Sequence, residues 1–192
     1  MVLYGAPSAL RRDARRNRAA IVEAAADVLR GRGPGARMSE IARRAGVALA
    51  TIYRHFPDRQ ALTAEVIGHQ LGQLEEAAAA RADRPAAFRP FLRAVLHRLI
   101  EMKSLIALAD GLDAGVRRRY QQRLVAAFAP PLRSAQDGGY VRTDLVPSDL
   151  LLLFAMVQGV AGTGEDPAAA RAAADRSIDL MLDGVCRDRH VS

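Results

Sequence analysis

The chain has 192 residues, half of them apolar, with no tryptophan and a formal net charge of +7; its pI is near 10.6. That length holds one large domain or two small ones with ample core, and the abundance of Ala, Leu and Arg over β-branched residues favours helix throughout. A single cysteine, Cys186, excludes an intrachain disulfide and suits a reducing cytoplasm. Arg11 to Arg18 is charged and no apolar stretch of signal-peptide type follows it. The longest apolar run, Leu150 to Val157, is well short of the ~18 residues that cross a bilayer, so no membrane partner is expected.

The distribution of charge says more than its size. Residues 1–60 hold 12 arginines against 5 carboxylates, whereas residues 61–192 hold 16 basic and 16 acidic side chains. The whole excess sits at the N-terminal end, which implies a polyanionic partner for that end and none for the rest.

In chain order, residues 1–10 are expected to be disordered. Arg11, Arg12, Arg15, Arg16 and Arg18 form a basic arm, which either lies along phosphates or a minor groove or is a solvated tail. A first helix follows to about Leu29, with Ile21, Ala25, Val28 and Leu29 as its apolar stripe. Gly31 to Ala36, GRGPGA, stops it. Lacking the Lys-Ser/Thr ending of a phosphate-binding loop, this stretch reads as a connection only.

Residues Met38 to Arg59 read MSEIARRAGVALATIYRHFPDR. Ile41, Ala42 and Ala45 give one apolar face of a short helix. Gly46 turns the chain where a positive φ is needed, and Val47 is expected as a buried plug. A second short helix, about Ala48 to Phe56, turns Ile52 and Phe56 inward, while small Ala42 lets the two backbones cross closely. Helix, glycine turn and helix make a helix-turn-helix of the DNA-binding kind. Arg43, Arg44, Thr51, Tyr53, Arg54, His55 and Arg59 project cations, hydroxyls and a ring N–H suited to phosphate oxygens.

The run ARRAGVALATIYRHFPDRQAL resembles the signature of the TetR-like transcriptional repressors, over roughly Arg15 to Val66. The resemblance implies an all-α protein: an N-terminal three-helix DNA-binding domain, then a helical bundle that binds a ligand and dimerises. It also implies that Tyr53, His55 and Arg59 grip the DNA backbone while Ala48, Leu49 and Ala50 approach base edges. Three departures stand out. Ala48 replaces the usual Ser, Ala50 the usual Gly, and Arg37 stands where Ser or Thr often caps the first helix of the motif.

The next helix starts near Asp58, a good N-cap, and runs to about Ala82. Leaving the head and entering the body, it is the mechanical link, so the domains are read as 11–57 and 58–192. A helix over about Pro85 to Met102 follows, then a short piece carrying Leu105, Ile106 and Leu108 that Gly111 breaks. Another spans about Asp113 to Gln136, where Pro130-Pro131 is expected to kink or interrupt it. Phe88, Phe91, Leu92, Leu96, Leu99, Met102, Tyr120, Leu124 and Phe128, with His97 as an orienting donor, have the composition of a ligand pocket; a closed core is the other reading.

A helix from about Ser148 to Ala161 has eight successive apolar residues and so no solvent face. Leu150, Phe154 and Val157 are expected at a dimer interface. With them go Ala174, Ile178, Met181 and Val185 of a last helix, about Pro167 to Arg187, spaced four, three, four. Gly159, Gly162 and Gly164 read as a helix end and loop.

No nucleophile stands at motif spacing from a base. The histidines, His55, His69, His97 and His190, are scattered, and only His97 and Glu101 share a helix face, two groups that do not make a metal site. The reading is therefore a cytoplasmic DNA-binding regulator and not an enzyme: a homodimeric repressor released from a palindromic double-stranded operator by a small apolar or amphipathic effector, with no metal or cofactor. An orphan or architectural DNA-binding protein without a ligand is the alternative, and a helical enzyme using His97 and Glu101 a weaker one.

Overall fold

The computed structural model describes residues 6–160 and 167–187. Nine α-helices lie among them, α1 (Ala6–Arg32), α2 (Met38–Ala45), α3 (Leu49–His55), α4 (Arg59–Ala79), α5 (Phe88–Glu101), α6 (Lys103–Ala109), α7 (Ala114–Asp137), α8 (Asp149–Val160) and α9 (Pro167–Val185), with 3-10 turns at Gly33–Gly35 and Pro85–Ala87. No strand lies among the described residues; an isolated antiparallel bridge pairs Val141 with Cys186.

The contacts divide the chain into two compact units, and the division falls inside α4, after His69. The sequence reading placed the boundary at 57/58. The N-terminal unit also takes in Ser104–Leu112, most of α6, an association that no local pattern announces.

In the N-terminal unit, Ile21, Ala25, Leu29, Ile41, Ile52, Phe56, Leu62 and Val66 are buried, so the stripe expected of the first helix and the inward positions of the motif are all withdrawn from solvent. Asp58 accepts from the Ala61 amide at 2.7 Å, a cap typically worth ~1 kcal/mol. The expected arm is helical: α1 begins at Ala6, and the segment read as disordered is helix from there on, residues 1–5 lying outside the described ones. Val47 is only half-buried.

The C-terminal unit packs α5, α7, α8 and α9 around Phe88, Phe91, Leu92, Leu96, Phe128, Leu132, Leu150, Phe154, Val157, Ile178 and Leu182. Two corrections belong here. Pro130 and Pro131 lie inside α7 without interrupting it; Pro131 is buried with Leu132, and the apolar packing of Phe128, Leu132 and Ala135 holds the helix through the missing amides. Leu150, Phe154, Val157, Ala174, Ile178 and Val185 are buried within the single chain, and Met181 packs against the same core. Leu150, Val157 and Ile178, at 0–1% exposure, have no surface left to present to a partner, and the others have little. The outward residues of α8 are instead Leu152, 63% exposed, and Met156, 54% exposed, and on α9 Leu180, 55% exposed. Gly162, Gly164 and His190 lie outside the described residues.

A ladder of charges fastens α9 to α5. Arg89 donates to Asp183 at 2.6 Å, Arg93 to Asp179, and His97 lies beside Asp175. The rungs step by four residues up one helix and down the other, as two antiparallel helices require.

Candidate nucleic-acid interface

The helix-turn-helix is set by its glycine. Gly46 has φ 68°, ψ 28°, and its amide reaches the carbonyls of Ala42 and Arg43, closing α2 in the left-handed conformation that only glycine adopts freely. The Val47 amide donates to the Ala42 carbonyl at 3.0 Å. Extended Ala48 then opens α3 with no side-chain cap, and Arg37 opens α2 the same way. Both caps are missing at the positions where the chain departs from the TetR-like pattern.

Burying Ile52 and Phe56 turns the opposite side of α3 to solvent. Ala48, Leu49 and Ala50 are all exposed, as are Tyr53 and Arg54, with Thr51 and His55 half-buried. Leu49 is 41% exposed and Tyr53 49%, a large apolar surface for so short a helix and the feature least expected of a merely solvated face. The His55 Nε2 is buried with no hydrogen-bond partner among the described residues, its ring 6.4 Å from that of Phe56.

Not every arginine of this unit is available to a polyanion. Arg43 is exposed, but Arg44 donates to Asp27 of α1 through Nη2 at 2.7 Å, with Arg30 on the same carboxylate at 3.3 Å. The Arg44 hydrogen bond holds the Asp27 carboxyl below the usual carboxylate range. Arg32 pairs with Glu40 at 3.1 Å. Arg18 pairs with Glu65 of α4 and lies 4.9 Å over the Phe56 ring; its hydrogen bond lowers the Glu65 pKa. Arg59 donates to two backbone carbonyls, at Ala36 (2.7 Å) and Gly33 (2.8 Å). The sequence reading missed the acidic partners Asp27 and Glu65, because pairs 17 and 47 residues apart leave no local pattern.

In the C-terminal unit the candidate ligand residues pack on one another. Phe91 and Phe128 stack with ring centroids 5.2 Å apart, and Phe154 meets Phe128 edge-on at 5.6 Å. Phe88, Leu92 and Leu96 are fully buried beside them and Met102 nearly so. Leu99 and Leu124 are partly buried against this core, and Tyr120 is half-buried. His97 lies apart from that set, in a groove of about 340 Å³ lined by Ile100, Glu101, Ala170, Arg171, Ala174 and Asp175. Among the described residues no group of three or more His, Cys, Asp or Glu side chains is arranged to hold a metal ion, and no helix is long and apolar enough to cross a membrane.

Comparison with known proteins covers both units. Residues 21–66 match the family described as bacterial regulatory proteins, tetR family, and residues 83–187 match the SbtR-like transcriptional regulator C-terminal domain. Among solved structures, a TetR transcription regulatory protein from Mycobacterium vanbaalenii is 28% identical, with a TM-score of 0.70 over 93% of this chain and 99% of its own. The regulator SCO0520 from Streptomyces coelicolor is 27% identical, with a TM-score of 0.64 over 88% and 98%. SmeT, the repressor of the Stenotrophomonas maltophilia multidrug efflux pump SmeDEF, shares the fold at 20% identity and a TM-score of 0.56, over 90% and 91%. No curated protein matches the chain.

Proposed function

Because the chain belongs to the TetR family of bacterial regulatory proteins and carries a C-terminal domain of SbtR-like kind, we propose that it is a cytoplasmic repressor. It binds a near-palindromic operator as a homodimer and leaves it when a small apolar or amphipathic effector enters the body. Regulators of this family are DNA-binding transcription factors and not enzymes, which removes the reading built on His97 and Glu101.

The observation that carries the DNA half is the exposed side of α3. Ala48, Leu49 and Ala50 stand at its first turn with Tyr53 one turn on, on the unit that holds the charge excess. Small apolar side chains read thymine methyls and groove shape and do not read hydrogen-bonding edges, while Tyr53, Arg43 and Arg54 supply phosphate contacts. Binding by fluorescence anisotropy to duplexes enriched from a random pool, against a scrambled duplex over a salt series, tests it. Sequence-selective binding with a negative log-salt slope is expected; equal affinity for both duplexes would refute an operator function.

The dimer is proposed through the outward side of α8 and α9. Leu152, Ala155, Met156 and Gly159 on α8 and Ala173, Leu180 and Gly184 on α9 are exposed, with Ser177 half-buried. Small residues among a few large apolar ones let helices from two copies approach closely. Such a pairing would set two α3 helices in successive major grooves, roughly 34–36 Å apart.

Family kinship favours a ligand, whereas the packed rings of Phe91, Phe128 and Phe154 favour the alternative, a DNA-binding protein with a closed body. An effector of the body would have to part those rings or use another opening. Binding of hydrophobic dyes to the body, and its loss on Phe128→Trp, separates the two.

A further inference from the structure

Arg59 stands at the first position of α4, where resemblance makes it a phosphate contact, yet its guanidinium is turned into the protein. Nη1 donates to the Ala36 carbonyl and Nη2 to the Gly33 carbonyl, at 2.7 and 2.8 Å. The Gly33 oxygen lies in the 3-10 turn that follows α1, where it also accepts from the Ala36 amide at 3.2 Å, and the Ala36 oxygen lies at the residue that closes that turn. The turn, Gly-Pro-Gly, has no polar side chain of its own to reach either oxygen. Gly33 is buried, at φ 50°, and a Cβ there would stand 3.1 Å from the Ser104 Cβ of α6, so no side chain of its own fits beside α6 without displacing it.

The two carbonyls precede α2 and Arg59 follows α3. The fork therefore joins the two ends of the segment that contains the whole helix-turn-helix, bridging separations of 23 and 26 residues. Asp58, next to Arg59, caps α4, and Gln60 donates to the Gly111 carbonyl at 3.2 Å. Asp58 thus caps the start of α4 from within, while the next two side chains tie it to two separate segments of the unit. Two parallel N–H groups from one planar group are a guanidinium's geometry; an ammonium on a flexible stem does not reproduce them.

We propose that Arg59 is a positioning residue of the DNA interface: it touches no phosphate and acts by clamping the base of the helix-turn-helix, which fixes the angle at which α3 meets the bases. The proposal rests on the operator-binding reading and deepens it. It predicts a division of labour in which an exposed cation such as Arg43 sets affinity for any DNA and Arg59 sets discrimination.

The test measures wild type, Arg59→Ala, Arg59→Lys and Arg43→Ala against a duplex enriched by the wild type and a scrambled duplex of the same composition. It runs over a salt series, at a temperature where circular dichroism shows every variant folded. For Arg59→Ala we expect about a tenfold or greater loss on the enriched duplex, little change on the scrambled one and an unchanged log-salt slope. Arg59→Lys should fail to rescue it. Arg43→Ala should lower affinity for both duplexes and reduce the slope by about 1. A fall in the Arg59→Ala slope by about 1 on both duplexes, with rescue by lysine, would overturn the proposal in favour of a phosphate contact. A lower melting temperature with both affinities intact would overturn it in favour of a fold brace alone. A wild type that enriches no duplex would overturn the operator-binding reading and this assignment with it.

Discussion

His97 on α5 lies 3.5 Å from Asp175 on α9, Nδ1 to Oδ1, in the place that an arginine takes in the other two rungs of the same ladder. An imidazole is shorter than an arginine and pairs as an ion only when protonated. The groove beside this rung, with Glu101 and Arg171 among its lining, opens where the longer side chain is missing. His97→Arg should complete the ladder and stabilise the body by roughly 0.2–1 kcal/mol, since both partners are partly exposed. Urea unfolding at low and high salt checks it: the gain should shrink with salt, and a gain that salt leaves untouched would point to packing instead.

The two sides of α8 and α9 predict opposite mutant behaviour. Leu152→Glu and Leu180→Glu place charges on exposed surface, so each should yield a folded monomer by sedimentation with melting close to wild type. Val157→Glu and Ile178→Glu bury an unpaired charge at positions with no exposure and should unfold the body, a penalty of several kcal/mol. A wild type that is monomeric in dilute solution, or exposed-face variants that remain dimeric, would dismiss the proposed interface.

Acid should loosen the N-terminal unit through Glu65. Its folded pKa is lowered, first by the hydrogen bond from Arg18, so the pair's contribution is fully present above the unfolded value near 4.3 and is lost as pH falls through the lower folded value. Asp27 shifts in the same direction through Arg44. Glu65→Gln should therefore be slightly less stable than wild type at pH 7, by under about 1 kcal/mol given the partial exposure, and the two should converge below about pH 4. Melting temperatures over pH 3–7 read this directly; a constant gap across the range would mean that the charge of Glu65 contributes nothing.

Leu49→Ala removes the largest apolar group from the first turn of α3. A loss of about 1 kcal/mol on the enriched duplex, with the salt slope and scrambled-duplex affinity unchanged, is expected of a thymine-methyl contact. An equal loss on both duplexes would show that Leu49 reads no sequence.

Effector control obeys reciprocity. A body-bound compound that weakens operator binding tenfold needs about 1.4 kcal/mol of coupling, and operator DNA must weaken that compound's binding by the same factor. Calorimetric titration with and without the enriched duplex measures both legs. A compound bound equally well in either case does not control this protein.

Much of the DNA-binding unit was legible in the linear sequence, because its determinants are local. Gly46 must turn with positive φ, Asp58 caps the helix that follows it, and Ile52 and Phe56, one helical turn apart, point the same way wherever the helix goes. The charge excess of residues 1–60 was equally plain.

What the tertiary structure decided were the choices between equivalent faces and the partners of long side chains. On α9 the series Ala174, Ile178, Met181 and Val185 and the series Ala173, Ser177, Leu180 and Gly184 have the same four, three, four spacing. Periodicity identifies a stripe without saying what covers it. The core of the single chain takes the first series and leaves the second outside. Arginine is harder still to place, since its flexible stem lets the charged end reach solvent, a carboxylate 47 residues away at Arg18, or a pair of carbonyls at Arg59. Residue type establishes that a cation is present. Only the packing of distant segments determines whether it faces a phosphate or the protein's own backbone, because the partner that satisfies it is brought near by the fold and not by the neighbouring sequence.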